Sequence, residues 1–295
     1  MWQVTIRLRR IKTCRNRIRM QMAGANDRRL FDSYLELLGL APQPPTFDFL
    51  CRLVRAHLDR IPFENLSKLL YLRRDGRRSV PDLDVYLSGA RDFHFGGTCY
   101  SNNPYLCRLL KHLGFQAELN GCDMQNPDVH IVIRVKLDGH EYLVDVGYAA
   151  PFLDPMPADA VSEYEIEFGI SRYVLRPRDA EGCSRLDLYR NGELSHGYTV
   201  NPIYREHRFF APAISDSYRQ SATFMNALLL TRYSPDHSVV IHNYTLTEFN
   251  RKKSTLARLK NNSEVGAAIE RHFGIPLGLV EEALHGMDLS GNAWS

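Results

Sequence analysis

The residues of this chain whose types and order could do chemistry are a cysteine, a histidine and an aspartate. Cys99 follows the short turn Gly96-Gly97-Thr98, and His130 and Asp145 come after it in the chain. The thiolate is the nucleophilic form of cysteine, and a free thiol is only slightly ionised at neutral pH. A neighbouring histidine can take the thiol proton, and an acid can fix the ring's tautomer and stabilise the imidazolium. This order indicates a thiol-nucleophile triad suited to acyl transfer, in which the cysteine attacks a thioester and passes the acyl group to an amine or other acceptor.

The sequence around the histidine predicts a β-hairpin. Apolar side chains alternate along residues 129–137, which is typical of a strand, and His130 falls on the face opposite to most of them. Asp138-Gly139 is a strong signal for a two-residue turn. The chain is therefore expected to return as a second strand over residues 140–148.

The register of this hairpin decides whether the histidine and the acid can meet. With a two-residue turn, Val132 faces Asp145 and His130 faces Gly147, all on one side of the sheet. His130 and Asp145 are then diagonal neighbours with Cα atoms roughly 7–8 Å apart, close enough for a carboxylate to accept from an imidazole. A three-residue loop would turn one strand over and separate them.

The periodicity of the chain predicts three regions. Helical spacing prevails from Asp27 to about Asp92, strand signals prevail from Gln116 to about Val200, and mixed structure follows Pro202. Predicted helices lie around residues 30–38, 50–61, 81–90, 103–113, 219–231, 262–273 and 278–285. Predicted strands lie at residues 116–119, 129–137, 141–148, 164–168, 173–176, 186–190 and 196–200, with paired strands near 238–249. Residues 71–79 are basic and are expected to form an exposed loop.

These regions predict an α+β fold divided into domains. We expect a disordered basic extension over residues 1–22, a helical domain over 23–95, a domain of the cysteine-bearing helix and a β-barrel over 96–200, and an α/β cap over 201–295. The extension carries seven basic residues and no acid, while the whole chain has a formal charge of +3. It is open to three interpretations: an organelle-targeting segment, an RNA- or phosphate-binding arm, or translation from an upstream start codon with Met20 or Met22 as the true first residue, the last being the one we expect.

Composition argues against several classes of function. The small net charge favours neither nucleic acid nor membrane as a main partner, and no run of about 20 apolar residues or export signal is evident. The six cysteines are scattered and have no zinc-ligand spacing, so we expect no metal and a cytoplasmic protein with reduced thiols. Cys51, Cys107 and Cys122 are expected to be small core residues.

Several motifs, taken in order, resemble the arylamine N-acetyltransferase family from about Asp27 to the C-terminus. They are Ile61-Pro62-Phe63-Glu64-Asn65-Leu66, Gly96-Gly97-Thr98-Cys99 with Asn103 and Leu113-Gly114-Phe115 behind it, His130 on a strand, and Asp145-Val146-Gly147-Tyr148.

The resemblance implies a fold, a site and a reaction. It implies a three-domain fold with a transglutaminase- or papain-like Cys-His-Asp core, and Cys99, His130 and Asp145 as the catalytic triad. It also implies acetyl-CoA as the acyl donor and an arylamine or hydrazine as the acceptor. Further residues that it implies are Phe63 and Tyr148 for the acceptor pocket, and Gly147 and Ser217 for contacts with CoA.

The chain departs from the family pattern at four positions. Phe95 replaces an arginine that would pair with Glu64, and Arg91 is the expected substitute. Ser101 replaces a glutamate. Pro104 would deprive a helix begun at Cys99 of a backbone N–H, so the sequence predicts a helix capped by Asn103 instead, with Pro104 first. Ala149 stands where the family has a glycine, and its methyl group is expected to crowd the CoA phosphates.

Two alternatives to acetyl transfer stay open on the sequence alone. One is an amide synthase of the same fold, which takes a long acyl chain from a carrier protein; Ala149 and the lost motifs favour it slightly. The other is a divergent protein that keeps the triad but binds a ligand without turnover. The acceptor, the length of the acyl group and the oligomeric state are not set by the sequence.

Overall fold

The computed structural model describes residues 27–250, 253–287 and 289. The expected basic extension over residues 1–22 therefore lies outside the described residues. Within them, the first part of the chain is helical, as predicted. Its helices are α1 (27–38), α2 (Phe47–Arg60), α3 (Leu66–Asp75), α4 (Leu83–Phe93) and α5 (Cys99–His112).

The helical spacing of apolar residues correctly predicted which face of the early helices is buried. Leu50, Leu53 and Val54 of α2 are fully or almost fully buried, and they join one core with Leu106 and Leu109 of α5. The predicted exposed loop over residues 71–79 is wrong at its start, because α3 continues to Asp75. That helix ends at Gly76, whose φ of 64° is a left-handed conformation that glycine adopts at no steric cost.

Eight antiparallel strands form one large sheet in the middle of the chain. They are β2 (Gln116–Asp123), β3 (His130–Leu137), β4 (His140–Val144), β5 (Met156–Pro157), β6 (Tyr164–Phe168), β7 (Ser171–Leu175), β8 (Ser184–Arg190) and β9 (Glu193–Arg205). The strand order is β5-β4-β3-β2-β9-β8-β7-β6. Helix α5 packs on β2 and β3. The α+β class is confirmed.

The predicted hairpin between β3 and β4 is confirmed in its register. Ile133 pairs with Val144 and Leu137 pairs with His140, so the connection is the two-residue turn Asp138-Gly139. Both turn residues have positive φ, 52° and 82°, as a type I′ turn requires. The predicted extent of the return strand to residue 148 is wrong, because β4 ends at Val144 and leaves Asp145 just beyond the end of the ladder.

A second sheet and two helices occupy the C-terminal part of the described chain. The strands are β1 (Phe63–Glu64), β10 (Leu229–Arg232), β11 (His237–His242), β12 (Thr245–Asn250) and β13 (Lys253–Arg258), in that spatial order. The helices α8 (Asn262–Phe273) and α9 (Leu277–Leu284) were predicted within one residue at each end. Strand β13 was not predicted.

The predicted helix over residues 219–231 is wrong. Two short helices, α6 (Ala211–Asp216) and α7 (Thr223–Asn226), precede β10 instead. Residues Leu228 to Leu230 are leucines, which favour a helix, but they are buried at the start of strand β10. A short apolar run does not distinguish a buried strand from a buried helix by its pattern.

Two strands connect the regions that we expected to be separate domains. Strand β1, from the helical region, pairs with β10, and β9 runs without a break from Glu193 to Arg205. The division at residues 95 and 200 stays a prediction. None of the helices in the described part of the chain is long and apolar enough to cross a membrane.

Candidate active site

Cys99 is the first residue of α5, with Thr98 as the residue before the helix. The turn that precedes it needs its two glycines. A Cβ on Gly96 would lie 1.9 Å from the carbonyl oxygen of Pro62, and a Cβ on Gly97 would lie 2.0 Å from Oγ of Ser101. These contacts pack the turn against the start of β1. The cysteine is thereby placed at the N-terminal end of α5.

The predicted start of α5 at Asn103 is wrong, and Pro104 lies inside the helix. A proline there has no N–H to donate to the carbonyl four residues earlier, which belongs to Tyr100. Nε2 of His207 lies 3.1 Å from that carbonyl oxygen and can supply the missing donor. Burial lowers the pKa of His207, which keeps the ring neutral at physiological pH. A side chain from a distant segment thus lets the helix begin at the cysteine.

The side chains of His130 and Asp145 meet as the hairpin predicted. Nε2 of His130 lies 2.8 Å from Oδ2 of Asp145, and both residues are almost fully buried. Cys99 lies close enough to His130 to raise the pKa of its ring. Because Nε2 is engaged by the acid, Nδ1 is the ring atom left for the sulfur. The structure therefore brings the three predicted residues together in the order sulfur, imidazole, carboxylate.

The charge state of the histidine depends on its two neighbours. Burial by itself would lower the pKa of His130, but Asp145 and Cys99 raise that pKa to about 10. Burial likewise opposes ionisation of Asp145, yet His130, Asn103 and the Gly147 amide hold the pKa of its carboxyl below the ordinary value. This environment favours an imidazolium next to a carboxylate at neutral pH.

The other described thiols lie in environments that keep them protonated. Burial raises the pKa of Cys51 to about 11 and that of Cys107 to about 12. It raises the pKa of Cys122 well above the ordinary value. Cys51, Cys107 and Cys122 are buried, as expected for core residues. Cys99 differs from them in having a histidine within hydrogen-bonding reach.

Asp145 is held by three donors besides the histidine. The Tyr198 hydroxyl donates to Oδ2 at 2.9 Å. The Asn103 side-chain amide donates to Oδ1 at 2.8 Å, and the Gly147 N–H donates to the same oxygen at 2.9 Å. A buried carboxylate is tolerated when its oxygens are satisfied in this way. Sequence reasoning missed Tyr198, which lies on β9, a strand that is remote in sequence from β4.

The predicted site residues share one cavity of about 990 Å³. Its walls include Cys99, His130, Phe63, Tyr148, Gly147 and Ser217. Asp145 lies behind His130 and is fully buried. The Phe63 ring packs 5.5 Å from that of Phe224, and the Tyr148 ring lies 5.3 Å from that of His130. The assignment of these residues to donor or acceptor stays a prediction.

The packing of the protein itself requires a glycine at position 147, whether or not this residue contacts CoA. A Cβ there would lie 2.6 Å from Cα of Cys99 and 2.8 Å from Nδ2 of Asn103. The absence of a side chain therefore lets the segment after β4 lie against the start of α5. Ala149, two residues on, is held at φ 57°, a conformation that costs roughly 1–2 kcal/mol for a residue with a Cβ.

The expected ion pair between Glu64 and Arg91 is wrong. Glu64 is fully buried and accepts hydrogen bonds from the Ser67 N–H at 2.8 Å, the Ser67 hydroxyl at 2.5 Å and the Gly96 N–H at 3.1 Å. Arg91 pairs with its neighbour Asp92 near the surface. Burial raises the pKa of Glu64, and these donors partly oppose the rise. Backbone and hydroxyl donors thus replace the family's arginine.

Comparison with known proteins shows that this chain is similar to N-acetyltransferases. A family model described as N-acetyltransferase matches residues 46–282. A proansamycin X synthase of Amycolatopsis mediterranei is 30% identical over 167 residues, which are 50% of this chain and 62% of that protein. An arylamine N-acetyltransferase of Mycolicibacterium smegmatis is 35% identical over 134 residues, 41% of this chain and 46% of that one. These matches cover less than two thirds of either relative.

Solved structures share the fold over most of their length. The Nocardia farcinica arylamine N-acetyltransferase has a TM-score of 0.73 and 25% identity, and the match covers 88% of this chain and 94% of that one. The Mycobacterium marinum arylamine N-acetyltransferase in complex with CoA has a TM-score of 0.72 and 22% identity, with 86% and 98% covered. The fold is that of N-acetyltransferases with a helical part and a large antiparallel sheet. This chain belongs to the arylamine N-acetyltransferase family.

Proposed function

We propose that this protein transfers an acetyl or other short acyl group from a CoA thioester to an arylamine or hydrazine through an acyl-cysteine intermediate. The observation that carries the proposal is that Cys99 and His130 line one cavity of about 990 Å³, with His130 hydrogen-bonded to Asp145 behind it. Family membership supports the reaction class, and the M. marinum relative has been solved with CoA.

The proposed reaction has two half-reactions. The Cys99 thiolate attacks the thioester carbonyl, a C–S bond forms, and the C–S bond to CoA breaks as CoA leaves with the proton that His130 held. The acceptor amine then attacks the acyl-cysteine, loses a proton to His130, and releases the Cys99 thiolate. The N–H groups of Cys99 and Tyr100 are the proposed donors to the oxyanion of each tetrahedral intermediate, since those of Ser101 and Asn102 donate to the Thr98 carbonyl.

The proposed substrate contacts follow from the walls of the cavity. Phe63 and Tyr148 offer aromatic surface against which an arylamine ring can pack. Gly147 and Ser217 are the proposed contacts for CoA. The Oγ of Ser217 is oriented by two bonds: it donates to the Ile214 carbonyl at 2.7 Å and accepts from Lys68 at 2.9 Å.

An amide synthase that takes its acyl chain from a carrier protein is the second candidate. The similarity to a proansamycin X synthase favours it. So does the buried methyl group of Ala149, which stands at the position where the family carries a glycine and CoA phosphates are expected.

Intact-protein mass spectrometry tests these proposals. The protein is mixed with acetyl-CoA, malonyl-CoA, longer acyl-CoA thioesters, or an acylated carrier protein, without acceptor. We expect a single acyl adduct that maps to Cys99 and disappears in Cys99→Ser but not in Cys183→Ser, a matched change at a half-buried thiol.

The donor arms separate the candidates. Adducts from acetyl-CoA support the first candidate, and adducts only from the carrier protein support the amide synthase. An adduct that persists in Cys99→Ser would overturn the role of this cysteine. If none of the donors forms an adduct, the protein is better described as a divergent member that binds a ligand without turnover.

A further inference from the structure

Lys68 is a buried cation in the wall of the active-site cavity. It lies on α3, two residues after the family motif that ends at Leu66, and it is 9% exposed. It lines the cavity together with Cys99 and Ser217. The proposed function gives it only the orientation of Ser217, which does not explain why a charged side chain is buried there.

All the hydrogen-bond partners of this ammonium are neutral. Nζ donates to the Ser217 carbonyl at 2.6 Å and to the Ser217 hydroxyl at 2.9 Å, and it lies 4.3 Å from the centre of the Tyr218 ring. Among the described residues no carboxylate pairs with it. Asp216, the acid adjacent in sequence to Ser217, pairs with Arg219 at 2.7 Å instead.

A buried ammonium without a counter-ion is unfavourable unless something compensates for its lost hydration. Burial lowers the pKa of Lys68 to about 8, and the charge of Cys99 partly opposes that effect. Cys99 is thus the one described titratable group whose charge favours the ammonium. A purely structural donor to Ser217 would not need a full charge, since a neutral donor could serve the same two oxygens.

Acylation changes the charge balance around this residue. A thioester at Cys99 carries no charge, so the acyl-enzyme leaves Lys68 without the anion that the free thiolate supplies. The proton of His130 leaves with CoA, so the remaining negative charge lies on Asp145, which is buried behind His130 and already accepts from Tyr198, Asn103 and the Gly147 N–H. A negatively charged group on a bound substrate would restore the balance in the cavity, and charge-assisted bonds of this kind are stronger than neutral ones.

We propose that Lys68 is a carboxylate-binding group of the active-site cavity, and that this protein prefers substrates with a carboxylate near the reacting atoms. The inference rests on the proposed function, because it places the carboxylate on one of that reaction's two substrates. The carboxylate belongs either to the acyl group, as in a malonyl thioester, or to the acceptor, as in an aminobenzoate. The two sources present the same chemistry to the ammonium.

Two kinetic arms distinguish the sources. The donor arm compares the single-turnover acylation rate from malonyl-CoA with that from propionyl-CoA, an uncharged acyl group of the same chain length. The acceptor arm compares release of a preformed acyl-enzyme by 4-aminobenzoate with release by aniline. Wild type is compared with Lys68→Met and Lys68→Gln, and with Lys111→Met, which removes an exposed lysine that stacks on Tyr204.

We expect the charged substrate to be favoured in one arm, and we expect that preference to fall by on the order of 10- to 100-fold in both Lys68 variants, as for one charge-assisted bond. Any effect of the Lys68 variants through Ser217 should change the rates with charged and uncharged substrates by the same factor, so the readout is the ratio of the two rates, and Lys111→Met should leave both rates close to wild type. A preference that is absent in wild type, or unchanged in both Lys68 variants, overturns the proposal.

A binding measurement separates this inference from the proposed reaction. In a Cys99→Ser background, calorimetric titration compares malonate and 4-aminobenzoate with their uncharged counterparts, malonamide and aniline. Lys68-dependent binding of a carboxylate in protein that forms no acyl-enzyme would support the subsite while the proposed reaction fails. Equal binding with and without Lys68→Met, in variants whose thermal melting shows that they are folded, would count against the subsite whatever the reaction.

Discussion

At the scale of single residues, Asp145, the acid of the proposed triad, accepts more hydrogen bonds than the other proposed triad residues. The Asp145 carboxylate accepts from His130, Tyr198, Asn103 and the Gly147 amide, and it is fully buried. Each donor lowers the cost of keeping a negative charge away from water. The position of the imidazole relative to the cysteine therefore depends in part on Tyr198 and Asn103, which are not among the residues that line the cavity.

Replacement of the acid tests its part in the reaction. Asp145→Asn keeps the shape but presents an amide to the ring, so we expect acylation of Cys99 to slow by on the order of 10⁴-fold, as for tautomer loss in other triads. Stopped-flow release of CoA measures the rate. Asp159→Asn is the matched control, since Asp159 pairs with His140 at 3.0 Å on the surface; its rate should equal that of wild type. A loss of less than tenfold in Asp145→Asn would contradict the assigned role.

The buried lysine provides a prediction about pH. The pKa of Lys68 in the folded protein is about 8, against 10.5 as the ordinary value. Between these values the unfolded chain binds more protons than the folded protein, so burial of Lys68 lowers the free energy of unfolding below about pH 8. That penalty disappears as the pH rises through 10.5. We expect Lys68→Met to be more stable than wild type by roughly 3 kcal/mol at pH 7, with the difference shrinking toward pH 10.

Urea unfolding at several pH values measures this difference. Lys111→Met serves as the control, because that lysine is exposed. A stability difference between Lys68→Met and wild type that does not change with pH would show that Lys68 carries no buried charge.

At the scale of elements, α5 and the hairpin of β3 and β4 together form the site. The helix presents Cys99 at its first residue, and Asn103 one turn later reaches Asp145 and the Val146 N–H. The hairpin presents His130, and its end presents the acid. The site is therefore as rigid as the packing of one helix on two strands, which favours the fixed geometry that catalysis needs.

The helix depends on an unusual substitute for one backbone hydrogen bond. Because Pro104 cannot donate to the Tyr100 carbonyl, His207 is the donor. We expect His207→Ala to lower the free energy of unfolding by about 1–2 kcal/mol in wild type, because it leaves that carbonyl without this donor. In a Pro104→Ala background the helix supplies its own N–H, so the cost of His207→Ala should be smaller by at least about 0.5 kcal/mol.

A double-mutant cycle by urea unfolding measures this coupling. His140→Ala, at an exposed histidine, is the control and should show no coupling with Pro104→Ala. If the two changes are additive, His207 does not compensate for the proline, and the start of α5 at Cys99 needs another cause.

At the scale of the whole molecule, one buried asparagine ties the beginning of the fold to its C-terminal sheet. Asn65 donates to the carbonyls of Phe224 and Ala227 at 2.9 and 2.8 Å, and accepts from the Leu229 N–H at 2.9 Å. It is fully buried. Its neighbour Phe63 lines the cavity and packs on Phe224. Asn65 thus holds the C-terminal sheet against the early part of the chain, and it lies two residues from Phe63, which forms part of the cavity wall.

Removal of this side chain should affect the molecule as a unit. Asn65→Ala leaves three backbone groups without partners, so we expect a loss of about 3 kcal/mol in the free energy of unfolding, at roughly 1 kcal/mol for each bond. Thermal and urea unfolding measure it. Asn126→Ala, at an exposed position, should change the stability by less than about 0.5 kcal/mol. A loss as small as that of the control would show that other contacts hold the C-terminal sheet.

The sequence by itself determined the local features. The two-residue turn fixed the register of β3 and β4, because the chemistry of Asp138-Gly139 and the period of a strand are properties of neighbouring residues. Helical spacing likewise determined the buried faces of α2 and α5. The predicted encounter of His130 with Asp145 followed from these local rules alone.

Only the tertiary structure decided the contacts between segments distant in the chain. Pro104 predicted that the helix begins after Cys99. In the structure His207, which is about a hundred residues away in the chain, donates to the Tyr100 carbonyl that Pro104 leaves without its helical donor. The sequence predicted a cationic partner for Glu64, but its carboxylate accepts from the N–H groups of Ser67 and Gly96 instead. Lys68 has the sequence pattern of an ordinary helix residue, and its burial beside Cys99 depends on packing against Ser217 and Tyr218. Hydrogen-bond satisfaction in a buried site is a property of whichever groups the fold brings together, so no local pattern encodes it.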